Sequence, residues 1–323
     1  MNVAIIGAGL IGRKRAKALP KKINLSLICD IDTKKVSKFA KEFNCEIDTD
    51  WRKVIENPKI QAIIISTTNN FLTPIAEAAI LRGKHVLIEK PGARNLKELQ
   101  RIAKAYHKRK VVVRFGFNHR YHPAIIKAKN LVDSGKFGKI LFIRTRYGHG
   151  GRRGYEKEWR FNKKIAGGGE LLDQGTHLID LINFFCGTME NVSGKTSRFF
   201  WKSKLEDSAF FILSNKKGQI AQVSVTCVEW KNIFSLEIMV QKAKIQIDGL
   251  GGSYGREKLT LYTMKPEMGP PDTEEFLFPE VDISWENENK IFFENIKNKV
   301  YDYKSISDAL YVLEVVEKLY KEN

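Results

Sequence analysis

The sequence predicts an α/β protein: a doubly wound parallel sheet in the N-terminal part, followed by an α+β part with an open, mostly antiparallel sheet. Three observations predict it. Continuous Val/Ile runs alternate with amphipathic stretches up to Phe115, the pattern of parallel strands covered by helices on both faces. After Tyr121-His122-Pro123 the runs become alternating apolar and polar, as in strands with one buried face. The length, 323 residues, exceeds one average core and suits two domains of ~100 to 200 residues each.

Taken in order, the first part predicts strands at Val3–Ile6, Leu25–Cys29, Ala62–Ser66, His85–Ile88 and Val111–Phe115. Helices are expected between them over Leu10–Leu19, Lys34–Phe43, Trp51–Glu56, Leu72–Arg82 and Leu96–His107. The second part predicts a helix at Ala124–Ser134, then strands at Ile140–Tyr147, Asn191–Trp201, Ser208–Leu213, Ile220–Val228, Phe234–Val240, Ala243–Ile247, Lys258–Thr263 and Glu275–Phe278. A Gly- and Arg-rich loop, Gly148 to Gly169, and a helix over Leu171–Phe185 interrupt those strands, and two helices, Trp285–Asn298 and Ser305–Leu319, close the chain. The expected division is residues 1–120 for one domain and 121–323 for the other, with a cleft between them.

Composition narrows the function. Apolar residues make up 43% and charged residues 28%, ordinary for a soluble globular protein, and no apolar run reaches the ~18 residues of a membrane span. Met1 runs almost directly into a strand, without the features of a signal peptide, so a cytoplasmic location without membrane attachment is expected. Cys29, Cys45, Cys186 and Cys227 are widely spaced, which supports neither a zinc site nor a disulfide framework. The net charge of +18 invites a nucleic-acid reading, but Lys and Arg are interleaved with Glu and Asp along helix-like stretches. The charge reads as a solubility and steering feature that attracts anionic substrates, with no nucleic-acid partner.

Gly7-Ala8-Gly9-Leu10-Ile11-Gly12 follows a strand and opens a helix, the context in which a GxGxxG motif binds a dinucleotide. Gly7 allows the tight turn, Gly9 lets backbone approach a pyrophosphate, and Gly12 permits close helix packing. Leu10 and Ile11 lie at the helix N-terminus, whose free N–H groups face phosphate. Asp30 ends the second strand, where a carboxylate accepts ribose hydroxyls and repels a 2′-phosphate, which favours NAD over NADP, with Ile31 beside it. Asp32 is an alternative for that role, and Asp30 is an alternative cap for the helix near Thr33. Thr67, Thr68, Asn69 and Asn70 stand at the carboxyl edge of the third strand, either lining the cofactor or capping the helix at Leu72.

Glu89-Lys90-Pro91 closes the fourth strand on the same edge, where the nicotinamide end is expected. Lys90 is suited to hydrogen-bond a substrate hydroxyl and stabilise the alkoxide that forms as hydride leaves; the alternative is a Glu89–Lys90 surface ion pair. Farther on, Asp173 and His177 stand at i and i+4 of a helix fed by Gly167-Gly168-Gly169, with Gly175 between them. A histidine paired with a carboxylate is fitted to take a hydroxyl proton, although Asp180 at i+3 competes with Asp173 as its partner.

The glycine motif, Glu89-Lys90-Pro91 and Gly168-Gly169-Glu170-Leu171-Leu172-Asp173-Gln174-Gly175-Thr176-His177 together resemble the glucose-fructose oxidoreductase, inositol dehydrogenase and rhizopine-catabolism (Gfo/Idh/MocA) family, as does Phe117-Asn118-His119-Arg120. The resemblance implies an N-terminal Rossmann domain, a C-terminal α+β domain that builds homodimers or homotetramers, and NAD(P)-dependent chemistry at a ring carbon of a sugar, inositol or nucleotide-linked sugar. It implies Lys90, Asp173 and His177 as the catalytic set, with Asn118 and Glu89 near cofactor and Arg120 near substrate. Many relatives carry a histidine early in the helix after the third strand, where this chain has Phe71-Leu72-Thr73. The loop from Tyr147 to Arg160 resembles members of surface-polysaccharide sugar pathways. There Tyr147, His149 and Trp159 are expected to contact a sugar, while Arg152, Arg153 and Arg160 either fork onto carboxylate or phosphate or form a solvated basic surface. Rival readings are a non-catalytic NAD-binding regulator, an NADP-linked enzyme and a redox-neutral enzyme of the same family.

Overall fold

The computed structural model describes residues 1–322 and divides the chain into two compact units. The first comprises Met1–Phe117, Lys164–Gly167 and Trp285–Leu313; the second comprises Asn118–Lys163, Gly168–Ser284 and the chain from Glu314 on. A single cut at residue 120 therefore differs from the division by compactness, because most of the C-terminal helical tail groups with the N-terminal sheet.

The first unit contains six parallel strands, β1 (Asn2–Ile6), β2 (Asn24–Cys29), β3 (Glu46–Asp48), β4 (Ala62–Ile65), β5 (His85–Glu89) and β6 (Val113–Gly116), in the order β3-β2-β1-β4-β5-β6. The strand order reverses between β1 and β4, and the carboxyl edge at such a switch point is where open α/β sheets bind ligands. All four residues of β4 are fully buried, as expected of a strand covered on both faces. The core joins Val3, Ile5, Ile28, Ile64 and Leu87 to Phe292, Phe293 and Ile296 of the helix Ser284–Lys297.

Five strands were expected here and six are found. The additional one, β3, holds a single apolar residue, Ile47, itself 51% exposed at the sheet edge, so hydrophobic periodicity carries no trace of it. The helix after β4 begins at Asn69, three residues before the expected start, and ends at Leu81.

The second unit holds eight strands: β7 (Ile140–Gly148), β8 (Asn191–Ser197), β9 (Ser208–Ser214), β10 (Ile220–Thr226), β11 (Ile233–Val240), β12 (Ala243–Asp248), β13 (Lys258–Thr263) and β14 (Asp272–Leu277). Their order is β14-β13-β12-β11-β7-β10-β9-β8, antiparallel except for the β7–β10 pair. Ile143, Thr145 and Tyr147 of β7 face inward, toward the helix Thr176–Cys186, and Phe142, Arg144 and Arg146 face outward. The outer face keeps Phe142, Phe210, Ile212 and Ile220 exposed.

The segment expected as one helix over Leu171–Phe185 is two pieces, a π-turn at Leu171–Gly175 and an α-helix at Thr176–Cys186. The wider turn alters the angular relation between residues four apart. No described helix is long and apolar enough to cross a membrane.

Candidate functional site

In the first unit, the glycine turn after β1 separates packing from binding. Gly7 has φ +110°, and a Cβ there would lie 2.4 Å from the Ser66 carbonyl oxygen; a Cβ on Gly12 would lie 2.0 Å from the Gly7 oxygen. Both positions are closed to any larger residue by the protein's own backbone. Gly9 is different: an added Cβ meets no described atom within 4 Å. Gly9 is also the N-cap of the helix Leu10–Lys17, and among the described residues no side chain caps that helix. The bare helix N-terminus, with Leu10 72% exposed and Ile11 half-buried, fits a pyrophosphate held by backbone N–H groups.

Asp30 stands at the end of β2. Its Oδ2 accepts from the Ala8 N–H at 2.8 Å and its Oδ1 from the Asp32 N–H at 3.0 Å, so it is tied to the glycine turn. Each carboxylate oxygen has a second lone pair, which leaves capacity for ribose hydroxyls. The helix Thr33–Phe43 is capped by Asp32, which accepts from Lys34 N and Lys35 N at 3.1 Å; capping thus falls to Asp32 and not to Asp30. Ile31 is 82% exposed beside them.

At the end of β4 the helix Asn69–Leu81 starts after Thr68 without a side-chain cap bond. Thr68 Oγ1 donates to Asn70 Oδ1 at 2.8 Å, and Thr67 Oγ1 to the Thr68 oxygen at 3.2 Å. Asn69, buried, donates through Nδ2 to the Ala166 oxygen at 2.8 Å. Glu89 is also turned into the protein, where Arg15 Nε donates to its Oε1 at 2.6 Å. The surface Glu89–Lys90 ion pair weighed from sequence does not describe this carboxylate, which is 6% exposed and engaged by Arg15. Lys90 follows it, half-buried, at the carboxyl end of β5.

In the second unit, His177 opens the helix Thr176–Cys186, 3% exposed. Its ring stacks on His119, centroids 3.7 Å apart and planes 18° apart, with Tyr147 set edge-on to both. Burial pushes the Tyr147 phenol well above its usual pKa, which keeps it neutral beside the histidines.

Asp173 lies in the π-turn, and its Oδ2 accepts from Arg160 Nε at 3.1 Å. The expectation that Asp173 and His177 share one face of a regular α-helix does not hold as stated, because the π-turn intervenes. Asp180, the competing partner for His177, is fully buried and takes a bidentate pair from Arg120, Nε to Oδ2 at 2.7 Å and Nη2 to Oδ1 at 2.6 Å. Arg120, expected near substrate, makes this pair from the 3₁₀ turn Asn118–Tyr121. Asn118, expected near cofactor, is 4% exposed and donates to Ser284 Oγ at 2.9 Å.

The glycines before the π-turn serve packing. A Cβ on Gly169 would lie 2.0 Å from the Glu206 oxygen and one on Gly168 2.1 Å from the Tyr320 hydroxyl. The Glu206 carboxylate accepts from Gly169 N, Leu171 N and Tyr320 Oη, at 3.0, 3.2 and 2.6 Å, and so holds the turn that presents Asp173. Gly175 packs against Leu171 and Val225 and opens no space near His177.

In the arginine loop Arg152 pairs with Glu158 at 2.6 Å, and Arg160 reaches Glu158 at 3.4 Å besides Asp173. Arg153 is exposed, and the half-buried Trp159 lies under the Arg160 guanidinium, 4.8 Å from its ring centroid. His149 Nδ1 accepts from Gly151 N at 3.0 Å, and its Nε2 lies 3.5 Å from Glu170 Oε1. His119 as a stacking partner, Arg160 as the partner of Asp173 and Arg15 as the partner of Glu89 escaped the sequence reading. Each is a contact between residues on different elements, with no local periodicity to announce it.

Two family models match the chain: "Oxidoreductase family, NAD-binding Rossmann fold" over residues 1–117 and "GFO/IDH/MocA C-terminal domain" over residues 125–246. Among curated proteins, levoglucosan dehydrogenase of Pseudarthrobacter phenanthrenivorans is 31% identical over 234 residues, 68% of this chain and 59% of that protein. The 2,7-anhydro-N-acetylneuraminate hydratase of Mediterraneibacter gnavus is 24% identical over 195 residues, 58% of this chain and 50% of that protein. The matched region therefore spans only about half to three-fifths of these relatives' length. A solved levoglucosan dehydrogenase in complex with NADH and levoglucosan superposes with a TM-score of 0.90 at 23% identity, over 100% of this chain and 98% of that one, a likeness of fold. With the glycine turn, the strand order and the second sheet all in place, the chain belongs to the Gfo/Idh/MocA oxidoreductase family and carries its NAD-binding Rossmann domain.

Proposed function

We propose that the chain is an NAD-dependent dehydrogenase or ketoreductase acting on a ring carbon of a sugar, inositol or nucleotide-linked sugar. The observation that carries the reading is the glycine turn: Gly9 leaves open space beside an uncapped helix N-terminus, with Asp30 tied to the same turn and set to receive ribose hydroxyls. The Asp30 carboxylate would repel a 2′-phosphate, which selects NAD over NADP. Nicotinamide, when bound, accepts or returns the hydride. His177 takes the hydroxyl proton, using the stack on His119 to hold its ring plane. Lys90 hydrogen-bonds a substrate hydroxyl as negative charge builds on its oxygen. Asp173, fixed by Arg160, orients substrate or His177, and Tyr147, His149, Arg153 and Trp159 contact the sugar.

Incubating the protein and NAD with levoglucosan, inositols, aldoses and nucleotide sugars should yield the absorbance of reduced nicotinamide. A Lys90→Ala variant should lose ~100-fold or more in kcat on the productive substrate. Full turnover by that variant would sink the mechanism. A second, redox-neutral reading is favoured by the likeness to a protein named as a hydratase. It predicts tightly held cofactor in the purified protein and product formation without net NADH. A non-catalytic regulator predicts NAD binding with no reaction on any member of the panel.

For assembly we infer a homodimer or homotetramer built on the outer face of the second sheet, where Phe142, Phe210, Ile212 and Ile220 are exposed. Light scattering that returns a monomer mass would remove that inference. The four cysteines are free thiols and no described helix suits a membrane, which supports action in the cytoplasm.

A further inference from the structure

Arg15, in the helix that follows the glycine turn, is fully buried. Its Nε donates to Glu89 Oε1 at 2.6 Å, its Nη2 to Glu288 Oε2 at 2.6 Å and its Nη1 to Asn289 Oδ1 at 3.0 Å. The guanidinium lies over the Trp285 ring, 4.6 Å from its centroid. Asn289 in turn donates to the Arg15 and Ala18 oxygens, each at 3.1 Å, closing the end of the same helix. A Cβ on Gly116 would stand 2.8 Å from Arg15 Nη2 and 3.0 Å from Glu89 Oε2, so the end of β6 is left bare to admit the pair.

Stability alone does not account for this cluster. Two carboxylates face one guanidinium out of contact with water, and buried ion clusters of this kind are often matched or bettered by apolar residues of similar volume. Its geometric effect is specific. It fixes the side chain of Glu89, the last residue of β5, and Gly92 N donates to the Glu89 oxygen at 3.0 Å to close the turn beyond. Lys90 lies between these two anchors. Lys90 is the first residue of that turn, directly bonded to Glu89, so fixing Glu89 on Arg15 fixes the point from which the turn, and Lys90 with it, leaves the strand.

We propose that Arg15, Glu89 and Glu288 are positioning residues. They bind the strand end that carries Lys90 to the helix that carries the phosphate-facing glycine turn, which places the amine at a set distance from a bound dinucleotide. The inference rests on the reading of Lys90 given above, and its test separates the two.

Lysine acetylation by a water-soluble active ester, followed by peptide mass spectrometry, measures the reactivity of Lys90 without any substrate. In Glu89→Gln, which keeps the shape and removes the charge, the Lys90 rate should depart from wild type by roughly threefold or more. Exposed Lys97 and Lys104 should react as before, and NADH affinity should stay within about twofold. On the productive sugar, kcat should fall by ~10-fold or more with KM little changed, and Glu89→Asp should restore part of the loss. An unchanged Lys90 rate in folded Glu89→Gln overturns the proposal. If Glu89→Gln gives no cooperative melting transition, Arg15→Lys and Glu89→Asp decide by the same rate. A changed Lys90 rate with undiminished turnover supports the positioning and removes the chemical role of Lys90.

Discussion

Replacing Glu288 with glutamine should erase a pH dependence of stability that the wild-type chain carries at one site. The Glu288 side chain is 1% exposed; one carboxylate oxygen takes Arg15 Nη2, and the other, Oε1, is buried with no hydrogen-bond partner among the described residues. Burial pushes its pKa up to about 7, Arg15 pulls it back and Glu89 adds to the rise. In the unfolded chain the group returns to ~4.3. Between those values the folded protein holds a proton that the unfolded one has released, so the folded state binds more protons and stability falls as pH rises. The contribution is complete below ~4.3 and gone above about 7. At ~1.4 kcal/mol per pH unit of displacement, the span is on the order of 3 kcal/mol, a shift of several degrees in Tm for a chain of this size.

Glutamine carries no charge at any pH, so Glu288→Gln should match wild type more closely near pH 5 and exceed it near pH 8. The gain at high pH is reduced by ~1 to 3 kcal/mol because the amide leaves buried N–H groups unmatched. That penalty is independent of pH, which makes the difference between the two melting profiles the informative quantity. Thermal denaturation from pH 5 to 8.5, followed by tryptophan fluorescence, measures it. Parallel Tm profiles for wild type and variant across that range would refute the reasoning.

Gly9→Ala should fold with an unchanged Tm and bind NADH ~10-fold or more weakly, whereas Gly12→Ala, whose Cβ would meet backbone at 2.0 Å, should fail to form the turn and lower Tm sharply; melting curves and NADH fluorescence titration check both. Asp30→Asn should weaken NADH by ~10-fold and narrow the preference over NADPH, read by parallel titrations with the two cofactors. Arg160→Met leaves Asp173 without its Nε donor and should lower kcat by ~10-fold on the productive sugar, with folding intact by circular dichroism.

The parallel sheet was legible because strands such as β4, buried on both faces, must be apolar throughout, and that signature is local. The glycine turn was legible from the local spacing of its glycines after a strand, although what excludes side chains there is only partly local: the Gly7 oxygen closes Gly12, while Ser66, 59 positions on and just past β4, closes Gly7. The edge strand β3 was not, since a three-residue strand with Ile47 half exposed has no period to detect. The π-turn at Leu171–Gly175 was hidden too, because its residues also satisfy a helical pattern and only Glu206, 35 positions beyond Leu171, shows what holds it.

What the sequence determined by itself was therefore the class of the fold, the place of the dinucleotide turn and the residue types available for proton transfer. What the tertiary structure decided was which charge answers which. Arg120 serves Asp180, Arg160 serves Asp173, and Arg15 serves Glu89 from 74 positions away and Glu288 from 273. Local spacing states where a charged side chain sits on its own element. Its partner is settled by which distant segment arrives to keep that charge from being buried alone, and this depends on the packing of the whole unit.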